Sequence, residues 1–156
     1  MQSDAPDITI RRAAPEDLEL SLPLVAAFHL EEGVESRPED RRAAISRILG
    51  DTGIGEMWLI ETAGAAVGYL VLAYGFSIEF NGRDAFLDEI FVTKAARGRG
   101  LGRAALRKAR GDMAARGVKA IHLEVAVDND RAQKLYAGEG FVLRRGYKLM
   151  SARIAP

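Results

Sequence analysis

Between Ala85 and Arg116 the sequence runs through an apolar strand, a glycine turn and an amphipathic helix without interruption. The strand, Phe86-Leu87-Asp88-Glu89-Ile90-Phe91-Val92, carries two adjacent carboxylates in an otherwise apolar run. The turn, Arg97-Gly98-Arg99-Gly100-Leu101-Gly102, alternates glycine with other residues, and a helix opens at the last glycine. Leu101, Ala105, Leu106, Ala109 and Met113 then fall on one arc, with Arg103, Arg107 and Arg110 opposite, the spacing of a surface helix. Unbonded N–H groups at a helix start bind anions, and glycine lets a polyanion approach the backbone closely. The unit therefore predicts an anion site beside a proton acceptor. Ala120 to Val127 alternates as a strand parallel to the first, and strand, helix, strand makes a right-handed crossover. The fold class is α/β.

The remaining elements are arranged around this unit. Asp7 to Arg12 alternates as a first strand, and Pro15-Glu16-Asp17 is a helix start, with acidic groups at the positive end of the dipole. Leu18, Leu22, Val25 and His29 recur at helical spacing, and Pro23 inside the run predicts a kink or a restart from Leu22. A second helix is expected from Pro38 to Leu49. Met57 to Glu61 and Val67 to Ala73, joined at Ala63-Gly64, read as an antiparallel hairpin. Gly75 to Asp84 reads as a longer connection containing the turn signal Asn81-Gly82. The strand from Ala85 to Val92 looks buried on both faces. Asp128-Asn129-Asp130 caps a short helix through Glu139, and Phe141 to Leu143 with Gly146 to Ile154 are expected to close the sheet as a hairpin. The whole, residues 1–156, reads as a single domain.

Composition narrows the function. Twenty-two basic side chains balance 22 acidic ones, which argues against general nucleic-acid binding. Without cysteine there is no disulfide, thiol nucleophile or cysteine metal site, and two histidines far apart, His29 and His122, make a zinc site implausible. No metal is expected. The first residues lack a basic-then-apolar signal pattern, and no apolar run reaches membrane-spanning length. A cytoplasmic protein without a membrane partner is the expectation.

Gly98, Gly100 and Gly102 invite comparison with the dinucleotide fingerprint, but Arg103 stands where its third glycine or alanine belongs, which disfavours a dinucleotide oxidoreductase. A P-loop fails for want of Gly-Lys-Ser/Thr. The segment instead fits Arg/Gln-x-x-Gly-x-Gly/Ala, and in this it resembles the acyl-coenzyme A pyrophosphate loop of the GNAT superfamily of N-acetyltransferases. Leu123 to Phe141 is similar to that family's second signature, with Asn129, Ala132, Leu135, Tyr136, Gly140 and Phe141 in matching places. The N-terminal strand and helix are similar too, so the likeness covers nearly the whole chain. It implies a mixed six- or seven-stranded sheet flanked by about four helices. It also implies acetyl-CoA as cosubstrate, held by Phe91, Val92, Arg97, Gly98, Arg99, Gly100, Leu101, Gly102 and Arg103, with Asn129 on the pantetheine arm.

Acetyl transfer to an amine needs an uncharged nitrogen, yet a lysine-type amine has a pKa of about 10.4 and arrives protonated. A base must remove that proton. Glu89 is the first candidate, where GNAT enzymes carry an acidic base, and Asp88 the second; unless a bulge intervenes the two point to opposite faces. The resemblance implies that a backbone N–H near Val92 receives the oxyanion and that Tyr136 protonates the thiolate. Glu31, Glu32, Glu35 and Glu79, with Phe28 and His29, are placed around an acceptor site, which predicts a cationic small-molecule or peptide amine attacking directly in a ternary complex. Against this stands a non-catalytic acyl-CoA-binding regulatory domain, which would need the glycine loop but neither Glu89 nor Tyr136. A homodimer is common among look-alikes.

Overall fold

The computed structural model describes residues 7–155. Among them a five-stranded sheet runs in sequence order: β1 (Ile8–Arg12), β2 (Gly55–Thr62), β3 (Ala65–Ser77), β4 (Gly82–Val92) and β5 (Ala120–Leu123). The first four strands pair antiparallel, and β5 lies parallel to β4. The helices are α1 (Leu18–Glu32), α2 (Pro38–Gly50), α3 (Leu101–Ala115) and α4 (Asp130–Gly138), with single 3₁₀ turns at Pro15–Asp17 and Lys94–Ala96. This is an α/β fold with a mixed sheet.

The chain divides after Glu124 into two compact units. In the first, β2 and β3 are buried on both faces. Met57, Leu59, Tyr69, Val71 and Phe91 pack with Leu24, Val25, Ile45 and Leu49 from α1 and α2. The alternate residues Trp58, Ile60, Leu70 and Leu72 are equally buried and project to the opposite face. That face belongs to α3, which contacts β2, β3 and β4 and buries Leu101, Ala105, Leu106, Ala109 and Met113. Leu101, Leu106 and Met113 each contribute about 1.5–3 kcal/mol by leaving water, and the two alanines less. The second unit holds α4, capped by Asn129 accepting from the N–H of Ala132 at 3.1 Å, with Tyr136 packed edge-on to Phe141 at 5.8 Å.

Several expectations are corrected. Of the kink and the restart expected at Pro23, the restart is set aside: α1 runs unbroken from Leu18 to Glu32, and Pro23 forfeits the bond that its own N–H would have given to the Glu19 carbonyl. The connection expected over Gly75 to Asp84 is mostly strand, because β3 and β4 extend to a short turn at 78–81, where Asn81 takes φ +59°. Strand β4 is not buried on both faces along its length; Ala85, Leu87 and Phe91 are buried and Asp88 is exposed. Strand β5 stops at Leu123 rather than Val127, where its pairing with Leu87 ends. The closing hairpin is absent: residues 141–155 form no strand, and the sheet has five strands among the described residues, not six or seven. A four-residue β5 offers no extended ladder edge for a further hairpin to join.

Candidate active site

The site is made by an irregularity in β4. Leu87 lies opposite Leu72, yet Glu89 lies opposite Val71, so Asp88 is an extra residue without a partner on β3. This is a β-bulge, and it shifts the strand's phase by one residue. Ala85 and Leu87 face α3. Had the strand stayed regular, Glu89 would have joined them. After the bulge Glu89 and Phe91 turn instead to the face covered by α1, beside Tyr69 and Val71. The alternative in which the two carboxylates point to opposite faces is thus replaced by an arrangement in which Asp88 interacts electrostatically with both Glu89 and His29.

Glu89 is held from both sides. Its Oε1 lies 2.6 Å from Nε2 of His29, near the C-terminal end of α1, and its Oε2 accepts from the Tyr69 hydroxyl at 2.7 Å. The side chains of His29 and Glu89 are 12% and 18% exposed, so the pair is sheltered but reachable. Phe28, Tyr69 and Phe91 form the aromatic wall beside it, with ring centroids 5.8–6.3 Å apart. Burial, then the Glu89 charge, pushes the Tyr69 hydroxyl far above its ordinary range, so it stays protonated and donates. Surrounding protein, then Glu89 and Glu124, raises the Asp88 carboxyl, and His29 partly offsets this. A carboxylate has about four lone-pair sites. With two in use, Glu89 still has room to accept a proton.

The end of β4 supplies a backbone donor. Thr93 N–H bonds to Val67 O at 2.8 Å, and Val92 lies opposite Gly68. Antiparallel pairs alternate between bonded and non-bonded, so the Val92 N–H points away from β3, on the side where pairing with β5 has ended at Leu87.

The glycine turn follows directly. Gly98 and Gly100 take φ +80° and +72°, and a Cβ at either would meet nothing within 4 Å. Backbone conformation rather than crowding therefore calls for glycine, and the side chains' absence leaves the N–H groups accessible. Helix α3 opens at Leu101, one residue before the predicted Gly102, with Gly100 as its cap. Alternating backbone signs ahead of a helix start make an anion-binding concavity. The charge of a pyrophosphate suits this concavity. Arg99 and Arg103 are exposed beside it.

Arg97, expected near the phosphates, is engaged within its own chain. Its Nε donates to Val92 O and its Nη2 to both oxygens of Glu31, each at 2.8 Å, while the guanidinium lies 5.6 Å from the Phe91 ring centroid. It ties the turn to the end of α1. Arg97, then Lys94, lowers the Glu31 carboxyl below its ordinary range, so Glu31 is neutralised by its own chain. Glu32, the last residue of α1, Glu35 in the loop after it and Glu79 in the β3–β4 turn are exposed. Phe28 is half-buried against the core. Asn129 and Tyr136 belong to the second unit, where Asn129 is engaged as a helix cap and burial raises the Tyr136 hydroxyl.

Sequence reasoning missed Tyr69 and the link between His29 and Glu89. A tyrosine inside the apolar run Val67 to Ala73 was the available signal, since a buried hydroxyl needs a partner. His29 was expected at the acceptor site, but its pairing with Glu89 gave no signal, because the two lie 60 residues apart. Among the described residues no group of histidines and carboxylates could hold a metal ion, and no helix is long and apolar enough to cross a membrane.

Comparison with known proteins identifies the family and the fold. The profile described as Acetyltransferase (GNAT) family matches residues 23–141. An integron cassette protein from the mobile metagenome of Cole Harbour Salt Marsh is 33% identical with a TM-score of 0.84, covering 94% of this chain and 91% of that one. A probable acetyltransferase is 25% identical with a TM-score of 0.84, covering 95% and 99%. An aminoglycoside N-acetyltransferase solved in complex with CoA shares the fold at 17% identity and a TM-score of 0.81, covering 98% of both chains. No curated protein matches the sequence.

Proposed function

The chain belongs to the GNAT family of acetyltransferases and is an acyltransferase, and from that premise we propose that it transfers an acetyl group from acetyl-CoA to a cationic primary amine, with Glu89 as the base. The observation that carries this reading is the Glu89 carboxylate, turned by the bulge onto a sheltered face and held by His29 and Tyr69.

Acetyl-CoA supplies the acyl group as an activated thioester. The N–H groups from Gly98 to Arg103 would hold its pyrophosphate. Glu89 takes the proton of the incoming ammonium, directly or through a water, and so frees the nitrogen lone pair to attack the thioester carbon in a ternary complex. The Val92 N–H is the donor for the charge that develops on the carbonyl oxygen. As the carbon–sulfur bond breaks the thiolate needs a proton, and the resemblance to the family's second signature nominates the Tyr136 hydroxyl as its source, a group that burial keeps protonated. Asp88, Glu89 and Glu124 make an acidic group that suits an ammonium, and Glu32 and Glu35 near the end of α1 add to it, whereas Glu79 lies in the turn at the far end of the β3–β4 hairpin. Glu31, paired with Arg97, contributes less than its sequence position promised.

Thiol release from acetyl-CoA is the test, measured across polyamines, aminoglycosides, amino acids and lysine peptides. Turnover with at least one cationic amine is expected. Coenzyme binding without thiol release from any of them would favour a regulatory acyl-CoA-binding domain instead.

A further inference from the structure

We propose that His29 is the positioning residue of the base: its imidazole donates from Nε2 to Oε1 of Glu89 and, together with Tyr69, fixes the carboxylate in the one orientation that serves the acceptor. The inference rests on the acetyltransferase reading above and assigns to α1 a role in the chemistry, beyond lining an acceptor site.

The assignment of the proton follows from the surroundings. Nδ1 of His29 is buried and has no hydrogen-bond partner. A buried N–H without an acceptor is rarer in folded proteins than a bare acceptor. Were the proton on Nδ1, the bare Nε2 would also face an ionised carboxylate lone pair to lone pair at 2.6 Å. Placing the proton on Nε2 removes both penalties at once. His29 then acts as a donor to the anionic form of Glu89, as the Tyr69 hydroxyl does.

The fold fixes the imidazole in turn. Gly33 ends α1 in a left-handed conformation, and the N–H groups of Gly33 and Val34 both bond to the His29 carbonyl. The Phe28 ring, 6.1 Å from the imidazole and 5.8 Å from Phe91, closes one side. The other charged or titratable groups facing the pair are Asp88 from β4, Tyr69 from β3 and Arg41 from α2, whose charge acts on Tyr69. A glutamate otherwise loses rotamer entropy on being held. Two donors from separate elements supply that ordering before the substrate arrives, which is where catalytic geometry gains most.

The experiment compares wild type with His29→Leu and His29→Gln, whose amide nitrogen can reproduce the donor but not the imidazole. His29→Leu should lower kcat by about tenfold to a hundredfold, the scale of a misplaced catalytic group, with the acetyl-CoA KM little changed. His29→Gln should recover most of the loss. A His29→Leu variant as fast as wild type, or a His29→Gln variant as slow as His29→Leu, would overturn the proposal. Nitrogen NMR of the imidazole gives a readout independent of turnover: Nε2 protonated and Nδ1 bare is expected, and the reverse overturns it. Failure of the two ideas is distinguishable. A wild-type protein inert towards every amine sinks the acetyltransferase reading, whereas an active wild type with an unaffected His29→Leu sinks only the role of His29.

Discussion

Two sheltered glutamates, Glu56 on β2 and Glu89 on β4, have partner sets that look alike and act differently. Each accepts from an aromatic donor: the Trp58 indole reaches Glu56 Oε1 at 2.8 Å, and the Tyr69 hydroxyl reaches Glu89 Oε2 at 2.7 Å. Each also has a basic partner, and here they part. Glu56 faces two guanidiniums, Arg116 at 2.9 Å and Arg12 at 3.4 Å, and both arginines continue to Asp112 on α3. Two permanent cations and two carboxylates balance, and the cluster ties β1, β2 and α3 together. The Tyr74 hydroxyl also faces Glu56, so the difference lies in the cations: Glu89 meets an imidazole and a phenol, both with neutral forms, and a second carboxylate next to it in sequence. On the proposed reading, it is the chemistry of its partners, and not burial alone, that suits Glu89 and not Glu56 to act as a base.

That contrast can be broken by exchanging which property each glutamate loses. The largest effect is expected from Glu89→Gln, which should lower kcat/KM by about 10²–10⁴-fold, the range of general-base catalysis, with thermal stability nearly unchanged in a melting experiment. Glu56→Gln should do the opposite. It leaves two guanidiniums without their buried counter-ion, a loss of several kcal/mol when fully buried, but Arg12 and Arg116 are 42% and 36% exposed, so about 1–2 kcal/mol is expected after solvent screening. In a chain of this size that lowers Tm by roughly 2–8 °C, while activity per folded molecule stays at the wild-type level. If Glu56→Gln instead lost activity without losing stability, the distinction would fail.

The smallest effect sharpens the same point. Because the Asp88 carboxyl is raised in the folded protein, its ionised form is penalised there, and stability falls as pH rises from the ordinary 3.8 through the raised folded value. Asp88→Asn removes the penalty. Its Tm should exceed that of wild type at pH 7, and the difference should vanish below about pH 3.8, where both states are protonated. A decrease at pH 7 would mean that Asp88 supports the fold rather than the site.

Local signals carried most of the fold. Helix α3, its glycine entry and the Asn129 cap were legible because periodicity, backbone freedom and capping act over a few residues. Strand β5 and the tail were over-read, since alternation in Ala120 to Val127 says nothing about where the partner strand stops pairing. Within the site, Glu89 was legible as a carboxylate in an apolar strand, and the bulge was foreseeable only as a condition. The pairings of Glu89 with His29 and of Arg97 with Glu31 were not legible, because each joins positions 60 or more residues apart.

The claim that Glu89 frees the acceptor nitrogen is tested most directly by the pH dependence of the Glu89→Gln deficit. Measured as kcat/KM for the best acceptor amine, the deficit should be greatest near neutrality. It should shrink as pH approaches the amine's own pKa of about 10.4, where the nitrogen is increasingly deprotonated without help. A deficit that stays constant across that range would contradict the assignment of Glu89 as the base.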